Sequence, residues 1–129
     1  MGYQAAYENT TGRNTAIGYV SLYNNSTGTN NTALGDSAMF YNTTSSDNTA
    51  VGYASLLDNT TGTRNVAVGY SALANNTTAT TNVAVGYKAG EGITTGAYNV
   101  VVGAESMMVT MTGSDNTACG YGTMQVNTS

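Results

Sequence analysis

The chain has no histidine and no proline, a single cysteine, and only three basic residues, Arg13, Arg64 and Lys88. Each absence removes a class of function. Without histidine, the commonest general base and metal ligand are both missing. Cys119 alone cannot form an internal disulfide, and zinc-type cysteine spacing is absent. Three basic side chains in a chain of formal net charge −4 leave no stripe to neutralise phosphates, so neither nucleic acid nor an anionic membrane is an expected partner. No apolar run is long enough for a spanning helix, which excludes direct membrane insertion by that route. The start, Met1 to Thr11, has neither the basic flank nor the apolar stretch of a secretory signal.

Charged residues make up only 8% of the chain, and its polarity is carried by Asn, Thr, Ser and Gly. Such a composition resembles that of a disordered segment, but disordered chains are depleted in the Val, Ile, Leu and Tyr that recur here in register. The register is set by a tetrad of Asn, Thr or Val, Ala or Val, and an apolar residue, closed each time by Gly. Its Asn is Asn14, Asn31, Asn48, Asn65, Asn82, Asn99 and Asn116, a spacing of seventeen residues throughout. A short, regular period marks a solenoid, whose coils bury their apolar faces only by stacking. The expected fold is therefore all-β, a parallel β-solenoid (β-roll) of about seven coils forming one domain over residues 1–129. The chain stops at Asn127-Thr128-Ser129 in mid-repeat, as expected of a piece of a longer fibre.

Columns of equivalent residues predict the coil. Ile17, Leu34, Val51, Val68, Val85, Val102 and Cys119 are apolar and mostly β-branched, which suits a strand with these side chains turned inward. The column two residues earlier, Thr15 to Thr117, shares that face by period-two alternation. Between them Ala16, Ala33, Ala50, Ala67, Ala84, Val101 and Ala118 take the opposite face. A second apolar column, Leu22, Met39, Leu56, Leu73, Gly90, Met107 and Met124, closes the core from the other wall. Asn-Thr-Thr-Gly stretches such as Asn59 to Gly62 have the residues of tight turns. Each coil is thus expected to hold two short strands and two turns, in a rod roughly 35 Å tall. The first coil, Gly2 to Ile17, is one residue short, so its turn at Thr11-Gly12-Arg13 is expected to be tighter.

Stacked amides bond along a stack and stacked rings offset, so Asn31, Asn48, Asn65, Asn82 and Asn99 predict one ladder and Tyr53, Tyr70 and Tyr87 another. Asp47 beside Arg64 predicts a surface ion pair worth at most about 1 kcal/mol. Ala16, Ala33, Ala50, Ala67, Ala84 and Ala118, with the neighbouring Gly column, predict a flat self-association face. Burying it at roughly 25 cal/mol per Å² would add several kcal/mol over the stack.

Asn65-Val66-Ala67-Val68-Gly69-Tyr70 and Asn82-Val83-Ala84-Val85-Gly86-Tyr87 resemble the head repeats of YadA-like trimeric autotransporter adhesins. They are also similar to repeats of phage tail fibres and other surface fibres. The resemblance covers nearly the whole chain as one short repeated motif. It implies a left-handed roll that trimerises, a location outside the cell, on the cell surface or on a virion, and a host-surface or matrix ligand.

Catalytic signals are weak, and no cofactor or metal is expected. Cys119 lies in an aliphatic column, where a buried, inert thiol is expected. The carboxylates are Glu8, Asp36, Asp47, Asp58, Glu91, Glu105 and Asp115. Asp47 and Asp115 are about 19 Å apart by coil spacing and Asp58 and Glu91 near 10 Å, against the roughly 5 to 9.5 Å of a glycosidase pair. Gly86 to Gly92 is not followed by the lysine and the helix of a phosphate loop. Asn-x-Thr/Ser sequons, at Asn9 and Asn59 among others, follow from composition. The leading expectation is a non-enzymatic structural or adhesive fibre module that self-associates as a trimer or, through unpaired strand edges, an end-to-end filament. The alternative is an ice-binding solenoid using stacked threonines, the pairs Thr43-Thr44, Thr60-Thr61, Thr77-Thr78 and Thr94-Thr95 giving two adjacent columns.

Overall fold

The computed structural model describes residues 2–10 and 12–125. Seven strands, β1 (Thr15–Ile17), β2 (Thr32–Leu34), β3 (Thr49–Val51), β4 (Val66–Val68), β5 (Val83–Val85), β6 (Val100–Val102) and β7 (Thr117–Cys119), form one parallel sheet in chain order. Every strand pairing joins residue i to residue i+17, as in Ala50 to Ala67 and Ala67 to Ala84. The protein is thus a β-solenoid with seventeen residues per turn. Thr11, at the centre of the shortened first turn, lies outside the described residues, as does the chain end beyond Gln125.

Each coil contributes one strand to the sheet, not the expected two. Where the second was expected, the sign of φ alternates along the chain. Ala54 (φ 51°) and Leu56 (φ 49°) are left-handed, as are Ser71 and Leu73, while the residues between them are not. Left-handed backbone costs an L-residue roughly 1–2 kcal/mol, and it persists where the surroundings over-determine it. Here the surroundings are hydrogen bonds in both directions. The N–H of Ser71 donates to Tyr53 O in the previous coil, and that of Leu73 to Ala89 O in the next. Alternation thus aims successive amides up and down the stack without a pleated strand.

Which side chains fill the interior differs from the sequence expectation. Ala33, Ala50, Ala67, Ala84, Val101 and Ala118 are buried. Ile17, Leu34, Val85 and Val102 are 38–46% exposed, Val51 and Val68 are half-buried, and Cys119 is exposed. The strand faces are therefore inverted, and the alanines cannot be a self-association face. The reason is room. Leu22, Met39, Leu56, Leu73 and Met107 are fully buried, as expected of the second column, and they pack in one cluster with the alanines. The asparagines two residues before the alanines are also inside, so parity along the strand turns the alanines in and the β-branched residues out.

Those asparagines form the predicted ladder. The backbone N–H of Asn65 donates to Asn48 Oδ1 (2.9 Å), and Asn65 Oδ1 accepts from the N–H of Asn82 (2.9 Å). Asn65 Nδ2 donates to Asn48 Oδ1 (3.2 Å) and Ala79 O (2.8 Å). Asn82 and Asn99 repeat the pattern. A second buried series, Asn25, Asn42, Asn59 and Asn76, runs along another corner. There Asn42 Nδ2 donates to Asn25 Oδ1 (2.6 Å), and Asn59 Nδ2 to Gly62 O of its own turn (2.9 Å). Asn76 Nδ2 donates to Ala79 O and its Oδ1 accepts from Ala79 N–H, which leaves Asn59 Oδ1 buried without a partner. One coil further the column becomes Ile93, bridged to Met111, and the corner turns apolar.

The Gly column is doubly constrained. Gly52, Gly69 and Gly86 have φ of 128–141°, and a Cβ on Gly52 would overlap the carbonyl oxygen of Gly69.

Asn65→Ala removes the acceptor of Asn82 N–H and the donor to Ala79 O together. The loss of stability is expected to be roughly 2–5 kcal/mol, read by denaturant unfolding. Thr61→Ala on the surface should stay within about 0.5 kcal/mol of the parent.

Candidate functional site

Three exterior surfaces follow from the coil. On the sheet, the outward columns are Thr15 to Thr117 and Ile17 to Cys119. Beyond the Gly bend stands the tyrosine series, with ring centroids 5.0 Å apart for Tyr53 and Tyr70 and 5.3 Å for Tyr70 and Tyr87. Tyr3 and Tyr19 stack at 5.6 Å, below the break at Asp36. Threonine, aliphatic and tyrosine columns thus lie side by side, and the central strands β3 to β5 carry no charge.

The second surface is a groove of about 830 Å³ lined by Glu8, Asn24, Tyr41 and Asp58 on one side and Ser26, Thr43, Thr60 and Thr77 on the other. Its hydroxyls serve the fold. Thr43 Oγ1 donates to Thr60 O, Thr60 Oγ1 to Thr77 O and Thr77 Oγ1 to Thr94 O, at 3.1–3.2 Å. Next to it a second aromatic stack, Tyr7, Tyr23 and Phe40, has centroid separations of 5.3 Å. The column reading missed this stack, although the residue after Ala6, Leu22 and Met39, one column of the coil, is aromatic in those three coils.

The third surface is the Thr-x-Thr segment between the two asparagine corners. Thr27, Thr44, Thr61, Thr78, Thr95 and Thr112 are exposed. Two residues on, Thr29, Ser46, Thr63 and Thr80 are half-exposed, and the intervening Gly28, Ser45, Gly62 and Ala79 are buried. The adjacent threonine pairs expected as two ice-facing columns are therefore split. One member is tied to the next coil and the other faces solvent.

The carboxylates do not converge. Glu91 pairs with Lys88 (Nζ to Oε2, 3.3 Å) and Glu105 accepts from the Tyr121 hydroxyl (2.9 Å). These partners raise the Lys88 and Tyr121 pKa values, in each case chiefly through the hydrogen bond. Asp47 takes an amide hydrogen bond from Asn30 (3.0 Å), and Lys88–Glu91 is the ion pair among the described residues, so the expected Asp47–Arg64 pair does not form. Among the described residues, no three His, Cys, Asp or Glu groups are placed to hold a metal ion. Cys119, expected to be buried, sits on the outward face of β7 because its column does.

Partial burial in the groove pushes the Asp58 carboxyl above its ordinary value of 3.8. A raised acid favours the folded state when protonated and loses that contribution as pH rises through its folded pKa. Asp58→Asn, the residue type at Asn24 and Asn75 of the same column, should raise the thermal midpoint at pH 7. The difference should vanish as the pH falls below about 3.9, which thermal melts across pH would show. Comparison with known protein families, with curated proteins and with solved structures finds no match, so the fibre-repeat resemblance rests on the motif alone.

Proposed function

We propose that the protein is a non-enzymatic structural module of a fibre, whose rods associate side by side through the outward face of the sheet. The observation that carries this reading is the uncovered aliphatic column Ile17, Leu34, Val51, Val68, Val85 and Val102 beside Val66, Val83 and Val100. Seven strands at about 4.8 Å and a width of about four residues give a patch of roughly 450 Å² with the tyrosines included. A patch of that size is at the scale that marks an interaction site on soluble proteins. It is also about half of what one partner contributes to a standard interface, so further columns at its rim join the contact.

A second copy is the occupant that best fits. The patch repeats at coil spacing and is neutral at its centre, so an identical rod offers a surface of the same period and chemistry. Three copies are what the resemblance to trimeric fibre heads implies. An adhesive role at a cell or virion surface belongs to the same proposal. It is supported by the low charge, the repeat architecture and the lack of converging catalytic groups.

Light scattering on the purified chain should give about three times the single-chain mass, and Val68→Asp with Val85→Asp should bring it to one. Circular dichroism on the same samples shows that the variant is folded. A parent of single-chain mass throughout a dilution series contradicts the proposal.

A further inference from the structure

The threonine surface is ordered in two directions and, unlike the sheet, carries hydroxyls in both of its columns through four coils. Thr27, Thr44, Thr61, Thr78, Thr95 and Thr112 are exposed in six consecutive coils. Along the rod they repeat at the coil spacing of about 4.8 Å, and the second hydroxyl column, Thr29, Ser46, Thr63 and Thr80 with Ala97 in the next coil, stands about 6.7 Å across, two residues away on the same face. The small buried residue between the columns keeps the segment close to the interior. A Cβ on Gly62 would overlap Ala79 O and the Asn59 side chain, so the backbone there has no slack.

The backbone that carries these hydroxyls is held by hydrogen bonds. The segment is fixed at both ends by buried asparagines, Asn59 and Asn65 in this coil, and between coils by bonds such as Thr81 N–H to Thr63 O (2.9 Å). The neighbouring column spends its hydroxyls on carbonyls of the next coil, whereas the outer threonines present theirs, each beside a methyl group, to water. No charged side chain interrupts the two columns. Asp47, Arg64 and Asp115 lie one position further on, at the bend.

A rigid two-dimensional array has already lost the entropy that ordering would cost on binding. It therefore favours a partner that is itself periodic in two dimensions and bonds through hydroxyl-sized donors and acceptors. We propose that the Thr-x-Thr surface binds ice, the hydroxyls entering the crystal's hydrogen-bond network and the methyls ordering the water between them. Self-association through the sheet leaves this segment on a different side of the coil, so the two activities are separable.

The purified chain, supercooled with a single ice crystal, should show a gap between melting and growth temperatures and faceted growth. Thr61→Tyr with Thr78→Tyr disturbs the array at two coils and should abolish most of the gap, while Val68→Asp on the sheet should leave it. Thr61→Ala with Thr78→Ala, which cannot clash, should reduce it less. Absence of a gap and of faceting in the parent overturns the proposal, as does a full gap in the folded threonine variants. Neither result bears on the assembled mass, so the inference fails separately from the fibre reading.

Discussion

The side-chain amides of Asn65, Asn82 and Asn99 are buried, and each finds partners only in the coils next to its own. A buried amide without partners costs several times what one net hydrogen bond returns. The ladder therefore penalises any slip of register, since shifting one coil by a single residue strands an amide above and below. Apolar burial does not impose that penalty here. An interior of leucines, methionines and alanines tolerates sliding far better than a file of amides. The seventeen-residue period is maintained by polar groups, and the narrow apolar core supplies cohesion.

The rest of the coil accommodates the ladder. Asparagine turned inward just before each strand sets the alanines inward too, and only alanine-sized groups face Leu56 and Leu73 in the space left. Gly at the following bend lets coils approach to a distance a Cβ would forbid. The left-handed residues at Ala54 and Leu56 carry strain that a lone coil would not sustain, and the bonds to both neighbours compensate it. Stability in such an array is a sum of weak coils and strong interfaces. Strain inside each coil, relieved between coils, is a clear instance of that rule.

Seventeen-residue stacking, the parallel sheet, the asparagine ladder and the Tyr53-Tyr70-Tyr87 stack were all legible from columns. Which face of the strand points inward was not legible from hydrophobicity, because Val68 is a better core residue than Ala67 by any transfer scale. The deciding signal was present nevertheless. Asn65 and Ala67 have the same parity, and a ladder of amides needs the interior to gain from stacking. The second strand was misread because Gly52-Tyr53-Ala54-Ser55-Leu56 has no feature that announces alternating φ; that conformation exists only through its neighbours. The second asparagine series was hidden for a different reason. Asn59-Thr60-Thr61-Gly62 reads as a solvated turn, and only burial shows that Asn59 caps the turn from inside. The candidate surfaces inherited these errors, since the face expected to bind another chain is the one the core consumes.

Once parity is settled, the exterior divides by chemistry. The sheet carries aliphatic and tyrosine columns, the Thr-x-Thr segment carries free hydroxyls, and the alternating segment carries the Lys88–Glu91 ion pair and one wall of the groove. All three depend on the amide file holding register, and native-state hydrogen exchange reads that file directly. The backbone N–H groups of Asn48, Asn65, Asn82 and Asn99, each bonded to the amide oxygen one coil earlier, should be among the slowest to exchange in the protein. Exchange of these four as fast as that of the exposed Thr78 and Thr95 amides would contradict the account.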